Sequence, residues 1–336
     1  MRTQLHITLG PASYKKQILA ELLATEIAGV RINMSHADKD ELCVLLRPVA
    51  DVAPHIRIGA DLRGRKLRIG PLPSGATRLK KGDEFRLIPM EGEEMGKVDA
   101  ASVNYPNMEN YLSRDTVIVL DDGGVHLSVC DLTKNGIVCV VRKEGTITER
   151  SGVNLPGKAL DLPALTNKDY EDLDFLAHCP LDFIYLSFTE TQKDIELLRE
   201  ALKTRNMRTS IVAKVETAAA VDNIDGILQS ADAICLARGD LGVEIPLPKL
   251  PFVQRHIIKA AHKAKKSVFL AGELMNSLVT RHTPFRAELT DIAVAVEQGV
   301  SGFVASDETA IGVDPMNAVH WFQACIEEAE KQTERH

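Results

Sequence analysis

The stretch AICLARGDLGVEIP spans residues 233 to 246, and its apolar run, Ala233 to Ala237, breaks off into Arg238, Gly239 and Asp240. A short apolar run of this kind reads as a buried strand. A cation, a glycine and a carboxylate at its end have two readings. One is a turn, for which Gly-Asp is common chemistry. The other is a ligand site at the carboxyl end of a strand. The choice depends on whether the pattern recurs along the chain.

It does recur. LHITLGPAS (5–13), AGVRINMSHA (28–37), IRIGADLRG (56–64), DFIYLSFTE (182–190), TSIVAKVET (209–217), SVFLAGELM (267–275) and SGFVASDET (301–309) each join an apolar run to a polar or glycine-containing end. Nearly all precede a helical stretch, such as YKKQILAELLATE, DKDELCVLLRPVADVA and TQKDIELLREALKTRN. Eight β/α units predict an α/β protein built on a (β/α)8 barrel, with its site at the carboxyl ends of the strands. A doubly wound open sheet fits less well, since no dinucleotide glycine fingerprint follows the first strand.

Residues 71–153 have a different texture. TVIVLDDGGVHLSVCDL reads as strand, turn, strand, and KNG is a hairpin signal before IVCVVRKEG. The expected organisation is a barrel over 1–70 and 154–336, with a small all-β lid over 71–153 inserted after the third strand.

Composition narrows the function classes. The chain has 336 residues, 45% hydrophobic and 26% charged, with only 4% aromatic. Its core must therefore be Val, Ile, Leu and Ala, which suits parallel strands covered by helices. A net charge of −7 leaves no basic footprint for nucleic acid. No apolar run approaches membrane-spanning length, and MRTQLHITLGPAS lacks the apolar region of a signal peptide. Six scattered cysteines without a C-x-x-C pair read as reduced core residues of a cytoplasmic protein.

The strand ends collect polar groups. Strand two gives Arg31, Asn33, Ser35 and His36; strand three gives Asp61, with Lys66 and Arg68 just beyond. Strand four gives Ser187, and strand five gives Lys214 and Glu216. Strand six gives Arg238, Gly239 and Asp240, strand seven Gly272 and Glu273, and strand eight Ser306, Asp307 and Glu308. Singly, each has a structural reading; Lys214 and Glu216 would make an interior ion pair. Burying the whole set without a ligand or metal would be costly. Phosphoryl transfer suits it. Glu216 and Asp240 are oxygen ligands for a Mg2+ that keeps several waters. Lys214 and Arg31 would neutralise a phosphoryl group in flight, and Gly239 would open backbone N–H groups to an anion.

With these residues in place, the sequence resembles the pyruvate kinase family over essentially its whole length. The matching segments are TLGPAS, AGVRINMSHA, DLRGRKLRIG, DDGGVHLSV, SGVNLPGKALDLPALTNKD, AKVET, ARGDLGVEIP, FRAELTDIAVAV and SDETAIG. The resemblance implies transfer of a phosphoryl group between phosphoenolpyruvate and ADP, with Mg2+ (or Mn2+) as cofactor. Lys214 and Arg31 then resemble the catalytic pair, and Glu216 and Asp240 the Mg2+ ligands. Ser187, Gly239, Asp240 and Gly272 fall at the substrate, and Arg31, His36 and Arg68 at the nucleotide. Asn33, Ser35, Asp61 and Lys66 fall in the monovalent-cation region.

Four departures stand out. Gly272 occupies the place of the family's usual threonine, removing a hydroxyl from the step that protonates the enol. This keeps open a related enzyme acting on another enol or oxo acid, with a different phosphoryl acceptor or as a lyase or decarboxylase. Leu62 and Lys66 resemble members that do not require K+, so K+ independence is expected. Ser151 stands where the family has a lysine before GVNLPG. The usual C-terminal regulatory domain has no counterpart in the sequence, leaving a homodimer contact around Arg286 to Val296 as one reading and a solvated helix as the other.

Overall fold

The computed structural model describes residues 2–35, 42, 46, 49–90, 94–158 and 160–333. They form two compact units. The first comprises Met1–Arg65, Pro163–Leu241 and Lys249–His336. The second comprises Lys66–Leu162 and Gly242–Pro248.

The first unit is a closed barrel of eight parallel strands. In chain order they are β1 (Gln4–Leu9), β2 (Gly29–Asn33), β3 (Arg57–Leu62), β4 (Phe183–Leu186), β5 (Ser210–Val215), β6 (Ala233–Ala237), β7 (Ser267–Ala271) and β8 (Gly302–Ala305). The expected eight β/α units are therefore present as a barrel. Helices Lys16–Leu23, Asn167–Leu176, Gln192–Thr204, Leu250–Lys263, Arg286–Glu297 and Pro315–Thr333 belong to the same unit. The helical stretch expected after β2 lies largely outside the described residues. No described helix is long and apolar enough to cross a membrane.

Strand periodicity of two decides what enters the barrel. On β4, Phe183, Tyr185 and Ser187 share one face; on β5, Val212, Lys214 and Glu216 do. Phe183, Tyr185, Val212, Cys235, Phe269, Ala271 and Val304 pack together as one buried cluster. His6 stacks on Phe183 at 5.4 Å and lies 4.8 Å from Phe269, centroid to centroid. Room for these three rings comes from glycines on neighbouring strands. A Cβ at Gly59 would sit 2.1 Å from the Phe183 ring, at Gly302 2.9 Å from Phe269, and at Gly29 3.0 Å from His6. The rings fill the barrel below the polar strand ends, so the interior there is packed core, not a channel.

The second unit is all β apart from short helical turns. Its seven-stranded sheet runs in the order Leu67–Arg68, Gly152–Asn154, Val117–Leu120, Val125–Thr133, Gly136–Lys143, Glu84–Pro89, Ala100–Val103. Ala76–Leu79 and Gly145–Thr148 form a separate pair. The hairpin at Lys134–Asn135 closes on Gly136, whose φ of +117° is glycine backbone. Gly152 pairs with Arg68 and Val153 with Leu67 at one edge of this sheet. Phe85, Leu87, Met108, Ile118, Leu127 and Ile137 are among its buried core. The segment Gly242–Pro248 also groups with this unit, where Asn154 Nδ2 donates to Glu244 Oε1 at 3.0 Å. Nothing in the residue pattern had separated that segment from the barrel.

Candidate active site

Ser187, Lys214, Glu216, Asp61 and Arg31 converge at the carboxyl ends of β2 to β5. Arg31 donates from Nε and Nη2 to Asp61 Oδ2, at 2.8 and 2.5 Å, and from Nη1 to Thr8 Oγ1 at 2.9 Å. Asp61 Oδ1 accepts from Ser187 Oγ at 2.9 Å. Lys214 Nζ lies 2.9 Å from Ser187 Oγ, 3.2 Å from Asp61 Oδ2 and 2.9 Å from Glu216 Oε1. Glu216 Oε2 accepts from the Phe188 N–H at 2.7 Å. That bond anchors Phe188 at φ +53°, a backbone angle uncommon for a bulky residue.

These charges are buried, and each is tuned by its partners. Burial alone would push the Lys214 ammonium towards neutrality; Asp61 and Glu216 overturn this and hold it charged well above the ordinary lysine range. Burial would raise Asp61, but Lys214 and Arg31 hold it below the usual carboxylate range. Glu216 differs. Burial raises it, Lys214 offsets this only in part, and Asp240 and Asp61 push it further up. Arg31, Lys214, Asp61, Glu216 and Asp240 together carry three negative and two positive charges.

A cavity of about 120 Å³ opens among Arg31, Lys214, Glu216, Gly239, Asp240 and Gly272. Its polar side is the cluster just described. The opening stretch ends here as a helix, Arg238–Glu244, not as a turn. A side chain built at Gly239 would meet nothing within 4 Å, so this residue leaves its side of the cavity open. Arg238 turns away from the cavity. It pairs with Asp291 Oδ2 at 2.7 Å and donates to the carbonyls of Gly272 and Glu273 at 3.3 and 3.1 Å, clamping the end of β7.

Gly272 is more than a missing hydroxyl. Its φ is +81°, and a Cβ there would lie 2.8 Å from the Gly239 nitrogen. The backbone itself occupies the place a side chain would take. Glu273, at φ +50°, is exposed and does not line the cavity. Glu308 is buried and bridges two strand ends, accepting from the N–H groups of Met275 and Ser306 at 3.0 and 2.7 Å.

The other expected residues are placed as follows. Asn33 Oδ1 accepts from the Ser35 N–H at 3.0 Å, at the end of β2. Lys66 and Arg68 belong to the second unit, where Lys66 pairs with Asp122 at 3.2 Å and Arg68 donates to the Arg150 carbonyl at 2.8 Å. His36 lies outside the described residues. Ser306, expected at the end of strand eight, lines the cavity; Thr8, Tyr185 and Cys235 were not expected at the site. Inward alternation, with Thr8 two residues past His6 and Tyr185 two before Ser187, is the signal that finds the first two.

A family model described as pyruvate kinase, barrel domain, matches residues 1–319. This chain belongs to the pyruvate kinase family. The pyruvate kinase of Mycobacterium tuberculosis (strain CDC 1551 / Oshkosh) is 34% identical over 330 residues, 97% of this chain and 69% of that protein. That of Thermococcus litoralis is 33% identical over 337 residues, 99% of this chain and 70% of the relative. That of Agrobacterium vitis is 36% identical over 336 residues, 98% of this chain and 70% of the relative. The chain is thus a pyruvate kinase-like phosphotransferase on a (β/α)8 barrel.

Proposed function

We propose that the cluster around Lys214 transfers a phosphoryl group between a phosphoenol acid, phosphoenolpyruvate in the simplest case, and ADP. The observation that carries this reading is the buried Lys214 ammonium, fixed by Asp61, Ser187 and Glu216 on the wall of the cavity. A fixed charge in a water-poor site stabilises developing negative charge strongly, because nothing reorganises as the reaction proceeds.

The donor set fits a divalent cation. Two carboxylates, Glu216 and Asp240, repel one another beside the cavity, and Glu216 is raised above the ordinary carboxylate range by burial and by that repulsion. The five clustered charges sum to one excess negative. Mg2+ (or Mn2+) held by Glu216 and Asp240 would relieve the repulsion and supply positive charge to the substrate's oxygens. Glu216 and Asp240 are the two carboxylates on the cavity wall, and a pair of carboxylates suits a cation that keeps most of its waters.

The chain's own residues do the rest. Asp61 holds Arg31 in a fixed fork, and Arg31 and Lys214 neutralise the phosphoryl oxygens. Ser187 fixes the Lys214 ammonium. The open side of Gly239 leaves room for the substrate carboxylate beside its backbone. As the P–O bond to the enol breaks and phosphorus bonds to ADP, the electron pair stays on the enolate. A proton then reaches C3. Position 272 supplies no acid for that step. The second unit carries Lys66 and Arg68, which we assign to the monovalent-cation and nucleotide ends of the reaction, with this unit acting as the lid.

The test is a Mg2+ titration of phosphoryl transfer in wild type and Glu216→Gln. The variant should need at least tenfold more Mg2+ and lose roughly 100-fold in kcat. An unchanged Mg2+ dependence would contradict the assignment.

A further inference from the structure

The cavity extends below the phosphoryl cluster, between β4, β6, β7 and β8. There its wall is Tyr185, Cys235, Ala271 and Val304, with Gly272 at the rim. Apart from Tyr185 these are small side chains. The cavity of about 120 Å³ is continuous from the phosphoryl end to this floor.

Tyr185 is buried, and its hydroxyl has no hydrogen-bond partner among the described residues. The ring is fixed edge-on to Phe183, 5.4 Å between centroids. The hydroxyl senses the Cys235 thiol, Arg31 and Asp61, groups at or beside the cavity. A buried hydroxyl left unpaired is costly, so one on a residue that lines a cavity marks where a ligand atom would gain most.

The floor is also neutral. Burial holds Tyr185 far above the ordinary phenol range and pushes the Cys235 thiol up to about 12. A neutral donor suits a hydroxyl or carbonyl oxygen better than a second carboxylate. With the phosphoryl group at Lys214 and Arg31 and the carboxylate near Gly239, C3 of the substrate is the atom left facing this floor. The methyl of pyruvate would leave the Tyr185 hydroxyl unmet.

We propose that Tyr185 is a specificity-determining residue that donates a hydrogen bond to a hydroxyl or carbonyl oxygen on the C3 substituent of the substrate. The oxo acid is then longer than pyruvate and polar at its far end. This rests on the phosphotransferase reading above.

The test uses the full chain with Mg2+ and ATP in D2O, following exchange of C3 protons by NMR. Three acids are compared: pyruvate, 4-hydroxy-2-oxobutanoate and 2-oxopentanoate, the last two differing by a hydroxyl against a methyl. The hydroxylated acid should exceed 2-oxopentanoate in kcat/KM about tenfold, a difference of one hydrogen bond, and should exceed pyruvate. In Tyr185→Phe, checked for an intact melting transition, the ratio of the two longer acids should fall to near one. Ala271→Val, which narrows the floor, should slow both longer acids relative to pyruvate.

Equal rates for the two longer acids in wild type would mean that solvent satisfies Tyr185, and would overturn the proposal. So would a preference surviving in Tyr185→Phe, or pyruvate exchanging fastest. No transfer of the ATP phosphoryl group to any of the three acids, with ATP bound, would instead overturn the phosphotransferase reading itself.

Discussion

Lys214 and Glu216 stand two residues apart on one face of β5, and Lys214 lies within reach of Asp61 from β3. That spacing was legible, because AKVET places two opposite charges on one side of a strand. What spacing could not show is how Asp61 is shared: its Oδ2 meets Arg31 and Lys214, and its Oδ1 meets Ser187. Such sharing comes from four separate strands and is visible only in three dimensions. His6 makes the same point lower in the barrel. It is an ordinary residue of LHITL in sequence, yet burial, with Arg57 adding to it, drops its imidazole to about 4. The unfolded chain takes up a proton near pH 6.5, and the folded chain resists until about pH 4. His6 therefore contributes stability above pH 6.5 that is lost as pH falls towards 4, roughly 3 kcal/mol in all. Urea midpoints measured against pH should show wild type losing more stability across that window than His6→Asn, which cannot titrate. Parallel curves would contradict this.

At the scale of elements, the ends of β6 and β7 are built against one another. Arg238 closes over the Gly272 and Glu273 carbonyls and anchors on Asp291 of the helix Arg286–Glu297. Two glycines meet there with opposite requirements. Gly272 has a left-handed backbone and no room, while Gly239 has open space. Gly272→Ala should therefore destabilise by about 2 kcal/mol or more through backbone strain and contact with Gly239. Gly239→Ala should leave the melting temperature almost unchanged, since alanine is the better helix residue. It should nevertheless cut turnover sharply by filling the cavity mouth. A thermal melt and a steady-state assay on both variants decide the matter; equal effects on stability would contradict it. The absent hydroxyl at 272 was legible in LAGELM. The backbone geometry was not, because glycine in a sequence does not declare whether its φ is used.

At the scale of the whole molecule, the barrel was legible because each strand repeats one arrangement, an apolar run and a polar end. Hairpin signals such as KNG gave the all-β character of the insertion. The grouping of Gly242–Pro248 with the second unit was not legible, since it depends on contacts such as that between Asn154 and Glu244. The charge balance of the barrel end also carries a prediction. Both Asp61 oxygens are engaged by Arg31, Lys214 and Ser187, and Lys66 is the cation assigned to K+'s role. Turnover should then change less than twofold when Na+ replaces K+ at constant ionic strength; strong and specific K+ activation would contradict the assignment.

The most direct test of the central claim is pyruvate formation from phosphoenolpyruvate and ADP with Mg2+, in wild type and in Lys214→Met of verified fold. Turnover should be measurable in wild type and fall by about 100-fold or more in the variant. Wild-type turnover that survives removal of the Lys214 ammonium would contradict it.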